Sequence, residues 1–230
     1  MAIKNHNIAK DAKIDISKLN RIDGVRTHYT DFDDDDVMSL SSEYGFQTVT
    51  DGGEAKSGVI NSCGHLQSKG GNRKVILRAS NMWSVAKNPK FEVLINSMTR
   101  DSQTIYLLIG WTDADGVVAI DSPTTANDIA CFMWSSADSA NWRFRTNDQT
   151  GNTDTQLGTA VATTTSTKLS IELTPAGGVV AHINDTRVAE SLGSVATGGT
   201  EWVPFVRLHG NTSNDQYIYM DTWCTTESRS

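Results

Sequence analysis

Two kinds of residue in this 230-residue chain have the chemistry to act on a ligand or to hold one: carboxylates and tryptophans. Hydrolysis of a glycosidic bond needs two carboxyl groups flanking it, about 5–5.5 Å apart when configuration is retained. On a β-strand such a pair falls at even spacing, because side chains alternate faces with period 2. The carboxylates of the strand-like segments lack that partner. Glu92 is followed on its own face by Leu94 and Asn96, and Glu172 by Thr174. The five histidines are scattered, with none beside a nucleophile and an orienting carboxylate, so no triad is indicated. No catalytic residue is expected, and the chain reads as non-enzymatic.

The tryptophans are Trp83, Trp111, Trp134, Trp142, Trp202 and Trp223. Amphipathic aromatics can stack on sugars, which makes Trp111, Trp134 and Trp142 the candidate glycan-binding residues. The competing reading puts tryptophans at strand positions in the core or at a subunit interface. Asp113, Asp115 and Asp121 lie near Trp111 and form the best cluster for a lectin-type metal, although Asp-Gly after a strand is already explained by a turn. The acidic run Asp31-Phe32-Asp33-Asp34-Asp35-Asp36 offers calcium-type oxygen ligands. It lacks the Gly or Asn that would wrap an ion, and reads as a solvated connector. Cys63, Cys131 and Cys224 are odd in number and contain no Cys-x-x-Cys pair, so they read as buried reduced thiols. Neither a metal nor a cofactor is expected.

The net charge of −7 argues against a nucleic-acid surface, which needs clustered Lys and Arg. No run reaches the roughly 18 apolar residues of a membrane span, and Met1 to His6 lacks the apolar core of a signal peptide. The expectation is a protein made in the cytosol, with no membrane partner.

The elements that would position these residues are strands. Period-2 alternation marks Lys74–Ala79, Phe91–Met98 and Gln216–Thr222, and strands are also expected at Phe46–Val49, Ile129–Trp134 and Trp202–His209, with a short apolar piece at Gly58–Ile60. Thr104–Thr112 is apolar throughout and predicts a central strand buried on both faces. Leu169, Ile171 and Leu173 alternate up to the turn Pro175-Ala176-Gly177-Gly178; Val179, Ala181 and Ile183 alternate beyond it, and Asn184-Asp185-Thr186 turns the chain again. Ten to thirteen strands are expected, without a long helix. That is an all-β sandwich.

The residues WRFRTNDQTGNTDTQLGTAVATT and KLSIELTPAGGVVAHINDTRVAES resemble the concanavalin-A-like jelly roll, shared by laminin-G modules, legume lectins and many phage-encoded modules. In that family the hairpin turn reads Ile-Asn-Asp-Gly; here Thr186 stands where Gly is usual. Hydrolases of the fold carry Glu-x-Asp-x-x-Glu or Glu-x-Asp-x-Glu on one strand, a pattern that does not occur here.

The N-terminal residues differ from the rest. Ile8, Ala12, Ile16 and Leu19 form a helical stripe, with Ile14 out of phase but in period 2 with Ile16. Too short to be a stable isolated helix, the segment must be covered by the sandwich or by other copies of the chain. Asn7 to Leu19 resembles the linker Ile-Ala-x-x-Ala-x-Ile-x-x-Ser-Lys-Leu of trimeric bacteriophage fibre and head-decoration proteins. The resemblance implies a homotrimer with Ile8, Ala12, Ile14, Ile16 and Leu19 at its interface. The expected organisation is a trimerising arm at 1–23, an acidic connector at 24–36 and a jelly roll at 37–230. The expected role is a phage virion structural protein, a capsid decoration protein or head fibre, whose partners are the major capsid protein or other virion proteins. The alternative is a carbohydrate-binding receptor module of a tail fibre that contacts a host surface glycan.

Overall fold

The computed structural model describes residues 25–31, 46–51, 54–56, 64–68, 73–98, 104–113, 128–135, 140–147, 152–191, 201–210 and 215–228. Among them are sixteen strands: β1 Val25–Asp31, β2 Phe46–Asp51, β3 Glu54–Lys56, β4 Gly64–Ser68, β5 Lys74–Ala79, β6 Trp83–Ser84, β7 Lys90–Met98, β8 Thr104–Asp113, β9 Ile129–Trp134, β10 Asn141–Asn147, β11 Asn152–Ala160, β12 Thr167–Leu173, β13 Val179–Ile183, β14 Thr186–Ser191, β15 Glu201–Gly210 and β16 Gln216–Ser228. A 3-10 turn at Val85–Lys87 is the one helical element of the described residues.

The strands form two antiparallel sheets. Sheet A runs β14-β13-β12-β7-β16-β4-β3, with β1 also paired to β16; sheet B runs β11-β10-β9-β8-β15-β5-β2, with β6 also paired to β15. Alternate residues of both sheets meet in one core that includes Phe91, Val93, Leu107, Ile109, Phe132, Leu169, Ile171, Val206, Met220 and Trp223. The central strands of sheet B also bury their other face: Ile76, Leu108, Ile129, Cys131, Met133 and Phe205 form a second apolar cluster. This accounts for the continuous apolar sequence of β8 and β9, since a strand buried on both faces loses its alternation.

The hairpins follow local turn chemistry. Asn184 and Asp185 both adopt left-handed φ, 49° and 63°, and Ile183 pairs directly with Thr186. The two-residue loop thus places its positive φ on Asn and Asp, residues that tolerate it. Thr186 begins the next strand, so the usual Gly is not required there. In the preceding turn Gly177 takes φ 78°, its N–H donates to the Thr174 carbonyl at 2.8 Å, and the Thr174 hydroxyl accepts from Gly178 N at 2.9 Å.

Two segments depart from the sequence expectation. The acidic connector was expected to fill 24–36, but Val25–Asp31 is a strand, paired with β16 from Val25↔Ser228 to Asp31↔Thr222. Arg26 fastens it: Nη1 donates to the Met82 carbonyl at 3.0 Å and meets the buried Glu227 carboxylate at 3.1 Å, and the guanidinium lies 4.5 Å from the centre of the Trp83 ring. Glu227 also accepts from Ser84 N at 3.0 Å, which ties sheet A to β6. Val25–Asp31 is therefore part of sheet A, although it lies within the range expected for the connector. The second departure is β11: Asn147, Asp148, Gly151, Asn152 and Asp154 are turn-type residues and a Thr-rich run follows, yet Asn152–Ala160 is a strand. It is an edge strand with a single fully buried apolar residue, Leu157, and backbone pairing to β10 holds it in place. The expected piece at Gly58–Ile60 lies outside the described residues.

Candidate functional site

The outer face of sheet A carries the most distinctive binding chemistry, and two irregularities in its ladder create it. The core-facing residues of β16 are Ile218 and Met220, then Trp223, Thr225 and Glu227. Strict alternation from Ile218 would turn Trp223 outward, because a slip of one residue exchanges the faces. β7 shows the same break, with Phe91, Val93 and Ile95 facing the core and then Met98. Each strand therefore needs one extra residue. Tyr219 pairs with Ser97 and Met220 with Ile95, which leaves Asn96 extra in β7; Thr222 then pairs with Leu94, which leaves Asp221 extra in β16. The two bulges cancel, and the ladder is regular from Trp223↔Val93 onward. Bulges bend a strand, re-aim side chains and are over-represented beside active sites.

Aromatic rings flank this double bulge. Tyr219 lies opposite His65, and Tyr217 opposite Gln67. The His65 ring stacks on Tyr219 with centroids 4.9 Å apart and planes 9° apart. Tyr217 continues the strip, 6.2 Å from Tyr219 and 5.8 Å from His65. His65 is buried, whereas both tyrosines are half-exposed. At one end Gln67 Nε2 donates to Asp215 Oδ2 at 2.5 Å, and on the β7 side the Ser166 hydroxyl donates to Asn96 Oδ1 at 3.0 Å. The result is an aromatic strip bordered by amides, hydroxyls and two aspartates.

Farther along the same face the side chains are committed to ion pairs. Lys90 lies 3.2 Å and Lys168 3.8 Å from Glu92. Lys168 also pairs with Asp185; that hydrogen bond holds the Asp185 carboxyl below the usual carboxylate range and raises the lysine. Glu172 lies opposite Lys90, one register step from Glu92. Adjacent strands thus bring two carboxylates to one face, a pairing that a search within single strands does not consider, and lysines stand among them. Burial, then the neighbouring Glu92, pushes the Cys224 thiol up to about 11, so it stays protonated at neutral pH.

The outer face of sheet B is different. Leu108, Gly110, Cys131 and Met133 occupy its centre, and Arg207 is buried beside them. A Cβ at Gly110 would come within 2.1 Å of the Ala130 carbonyl oxygen, so only glycine fits there. Toward the edge, Asp154 accepts from Arg143 Nε and Arg145 Nη2, each at 2.8 Å. Burial, partly offset by Arg145, pushes the Cys131 thiol up to about 12.

The residues singled out in the sequence fall in other places. Trp111, Trp134 and Trp142 are buried in the inter-sheet core, Trp111 donating from Nε1 to the Ile171 carbonyl at 3.0 Å and Trp142 packing edge-on against Phe132. Their indoles have no face turned to solvent, which corrects their assignment as a stacking platform in favour of the core reading. Ile8, Ala12, Ile14, Ile16 and Leu19 lie outside the described residues, as do Asp33 to Asp36, Asp115, Asp121 and Cys63. Among the described residues no group of three or more His, Cys, Asp and Glu is placed to hold a metal. Sequence reasoning did not assign the His65, Tyr217 and Tyr219 strip, although Tyr217, Tyr219 and Asp221 alternate visibly. The signal was the break in apolar parity at Ile95-Asn96-Ser97-Met98 and Met220-Asp221-Thr222-Trp223.

No family model and no curated protein matches the sequence. Solved structures do match the architecture. LamA from Zobellia galactanivorans, in complex with laminaritriose and laminaritetraose, superposes with a TM-score of 0.64 at 9% identity over 86% of this chain and 97% of its own. SCLam, a non-specific endo-β-1,3(4)-glucanase of family GH16, gives 0.64 at 8% identity over 90% and 92%. The Emp47p carbohydrate recognition domain gives 0.60 at 9% identity over 88% and 96%. The fold is a concanavalin-A-like jelly roll. At these identities the likeness extends to the jelly roll alone, which hosts unrelated activities.

Proposed function

We propose that this chain is a non-enzymatic bacteriophage virion protein, a homotrimer whose N-terminal arm anchors it and whose jelly roll is displayed outward. The reading is carried by the apolar stripe Ile8, Ala12, Ile14, Ile16 and Leu19, set immediately before the sandwich. A second feature is compatible with it: among the described residues the first and last strands pair, with Val25 opposite Ser228. The partners are then the major capsid protein or another virion component.

Three copies of Ile16 about a threefold axis leave no place for a charge, because desolvation there goes uncompensated. Sedimentation of the full chain should give a trimer, and Ile16→Asp should give a folded monomer that is not incorporated into particles. Asp15→Ala should do neither. A full-length chain that sediments as a monomer, or an Ile16→Asp chain that remains trimeric, would refute the arm.

A carbohydrate-binding role is favoured by one specific observation, the partly exposed tyrosine strip on sheet A.

A further inference from the structure

We propose that the double bulge between β7 and β16 is a binding platform for a neutral glycan. It stacks a sugar ring on Tyr219 and Tyr217 and bonds the sugar hydroxyls through Asn96, Ser97, Asp221 and Asp215. The inference deepens the carbohydrate-binding reading by giving it a site, and it is independent of the arm.

Three observations converge on this place. The first is the cancelling pair of bulges. A single bulge could be an accident of one strand end; two that offset each other keep the sheet in register while presenting Asn96 and Asp221 side by side on its outer surface. The second is the aromatic strip. His65 is buried and stacked within 9° of parallel on Tyr219, so it fixes the tilt of that ring. Rigid tyrosines supply contact area at low entropic cost, and their phenolic ends stay wet. The third is the company they keep. Ser166 braces the Asn96 amide at 3.0 Å and Gln67 braces Asp215 at 2.5 Å, so the hydrogen-bonding groups are held before any ligand arrives. A few oriented polar groups around an apolar surface is the arrangement that fixes a sugar's orientation.

The charges choose the class of glycan. Asp215 and Asp221 border the strip, and the chain carries a net charge of −7. Lys90 and Lys168, on the same face, are occupied by Glu92 and Asp185. A uronate or sialyl carboxylate would therefore meet repulsion, whereas hydroxyls meet carboxylate acceptors.

The test uses the full-length chain and affinity electrophoresis through gels containing laminarin, yeast mannan, dextran or galactomannan, with alginate as the polyanion. The expected result is retardation by at least one neutral polysaccharide and none by alginate. Tyr219→Ala should weaken that retardation at least tenfold and Tyr219→Phe should preserve it, since stacking needs the ring rather than the hydroxyl. Asp221→Ala should weaken it severalfold, with melting unchanged. Lys90→Ala, on the same face but away from the bulge, should have no effect. Should Tyr219→Ala unfold the chain, the surface change Asn96→Ala reads the same site. Retardation by none of the four polysaccharides, equal retardation by alginate, or binding unaltered in Tyr219→Ala and Asn96→Ala would each overturn the proposal. None of these results bears on trimerisation, which sedimentation reads separately.

Discussion

Deleting Asp221 removes one bulge of the pair and leaves Asn96 in β7 without its counterpart. One half of β16 must then move along β7 by a residue's rise, about 3.3 Å. Either Gln216–Met220 slides against β4, or Thr222–Ser228 slides against β1. The second movement pulls Trp223, which is fully buried, from the Phe91 ring whose centre lies 4.5 Å away. Losing a large aromatic from a packed core costs roughly 3–5 kcal/mol, and deleting Asn96 alone should cost a similar amount. Deleting both residues gives a regular ladder with the native pairs Met220↔Ile95 and Thr222↔Leu94 retained. The double deletion then loses little beyond the exposed Ser166–Asn96 hydrogen bond, about 1 kcal/mol. The assay is urea unfolding of the four full-length chains, followed by tryptophan fluorescence. The double deletion should be more stable than either single deletion, the mark of strong coupling between neighbours. If the two losses simply add, the bulges are independent and the reasoning fails.

Two further perturbations test other parts of the structure. Truncating residues 1–20 should leave the melting temperature of the sandwich unchanged. Truncating 1–31 removes β1, its ladder with β16 and the Arg26–Glu227 pair, and should lower the melting temperature by several degrees in calorimetry; equal melting of the two truncations would return Val25–Asp31 to the connector. The second perturbation is alkaline pH. Burial raises the Cys131 thiol from 9.0 to about 12, so the unfolded chain loses the proton first. Its contribution is complete below about pH 9 and declines as pH rises toward 12, reaching a loss of about 2 kcal/mol at pH 10.5. Cys131→Ala should flatten the decline in urea stability between pH 8.5 and 10.5 by about that amount, and an unaltered slope would contradict a buried protonated thiol.

Much of the architecture was legible because it rests on local patterning. The alternation of Lys74–Ala79 and the apolar run of Ile129–Trp134 gave the strands at the observed bounds, and Asn184-Asp185 gave its turn, because side-chain period and positive φ are properties of neighbouring residues. The all-β class followed from the same signals. What escaped depended on residues far apart in the chain. β1 and β11 are polar, and strand pairing defines them: β1 is set against residues some two hundred positions away and clamped by Arg26 on Glu227. The fate of the tryptophans was likewise tertiary. Strand propensity placed Trp111 and Trp142 on strands without saying which face would meet the other sheet, and both turned inward. The sequence determined that β7 and β16 each break their alternation once. Only the folded sheet decided that the two breaks lie side by side and cancel, because that depends on the register between strands whose sequences are separated by about half of the chain.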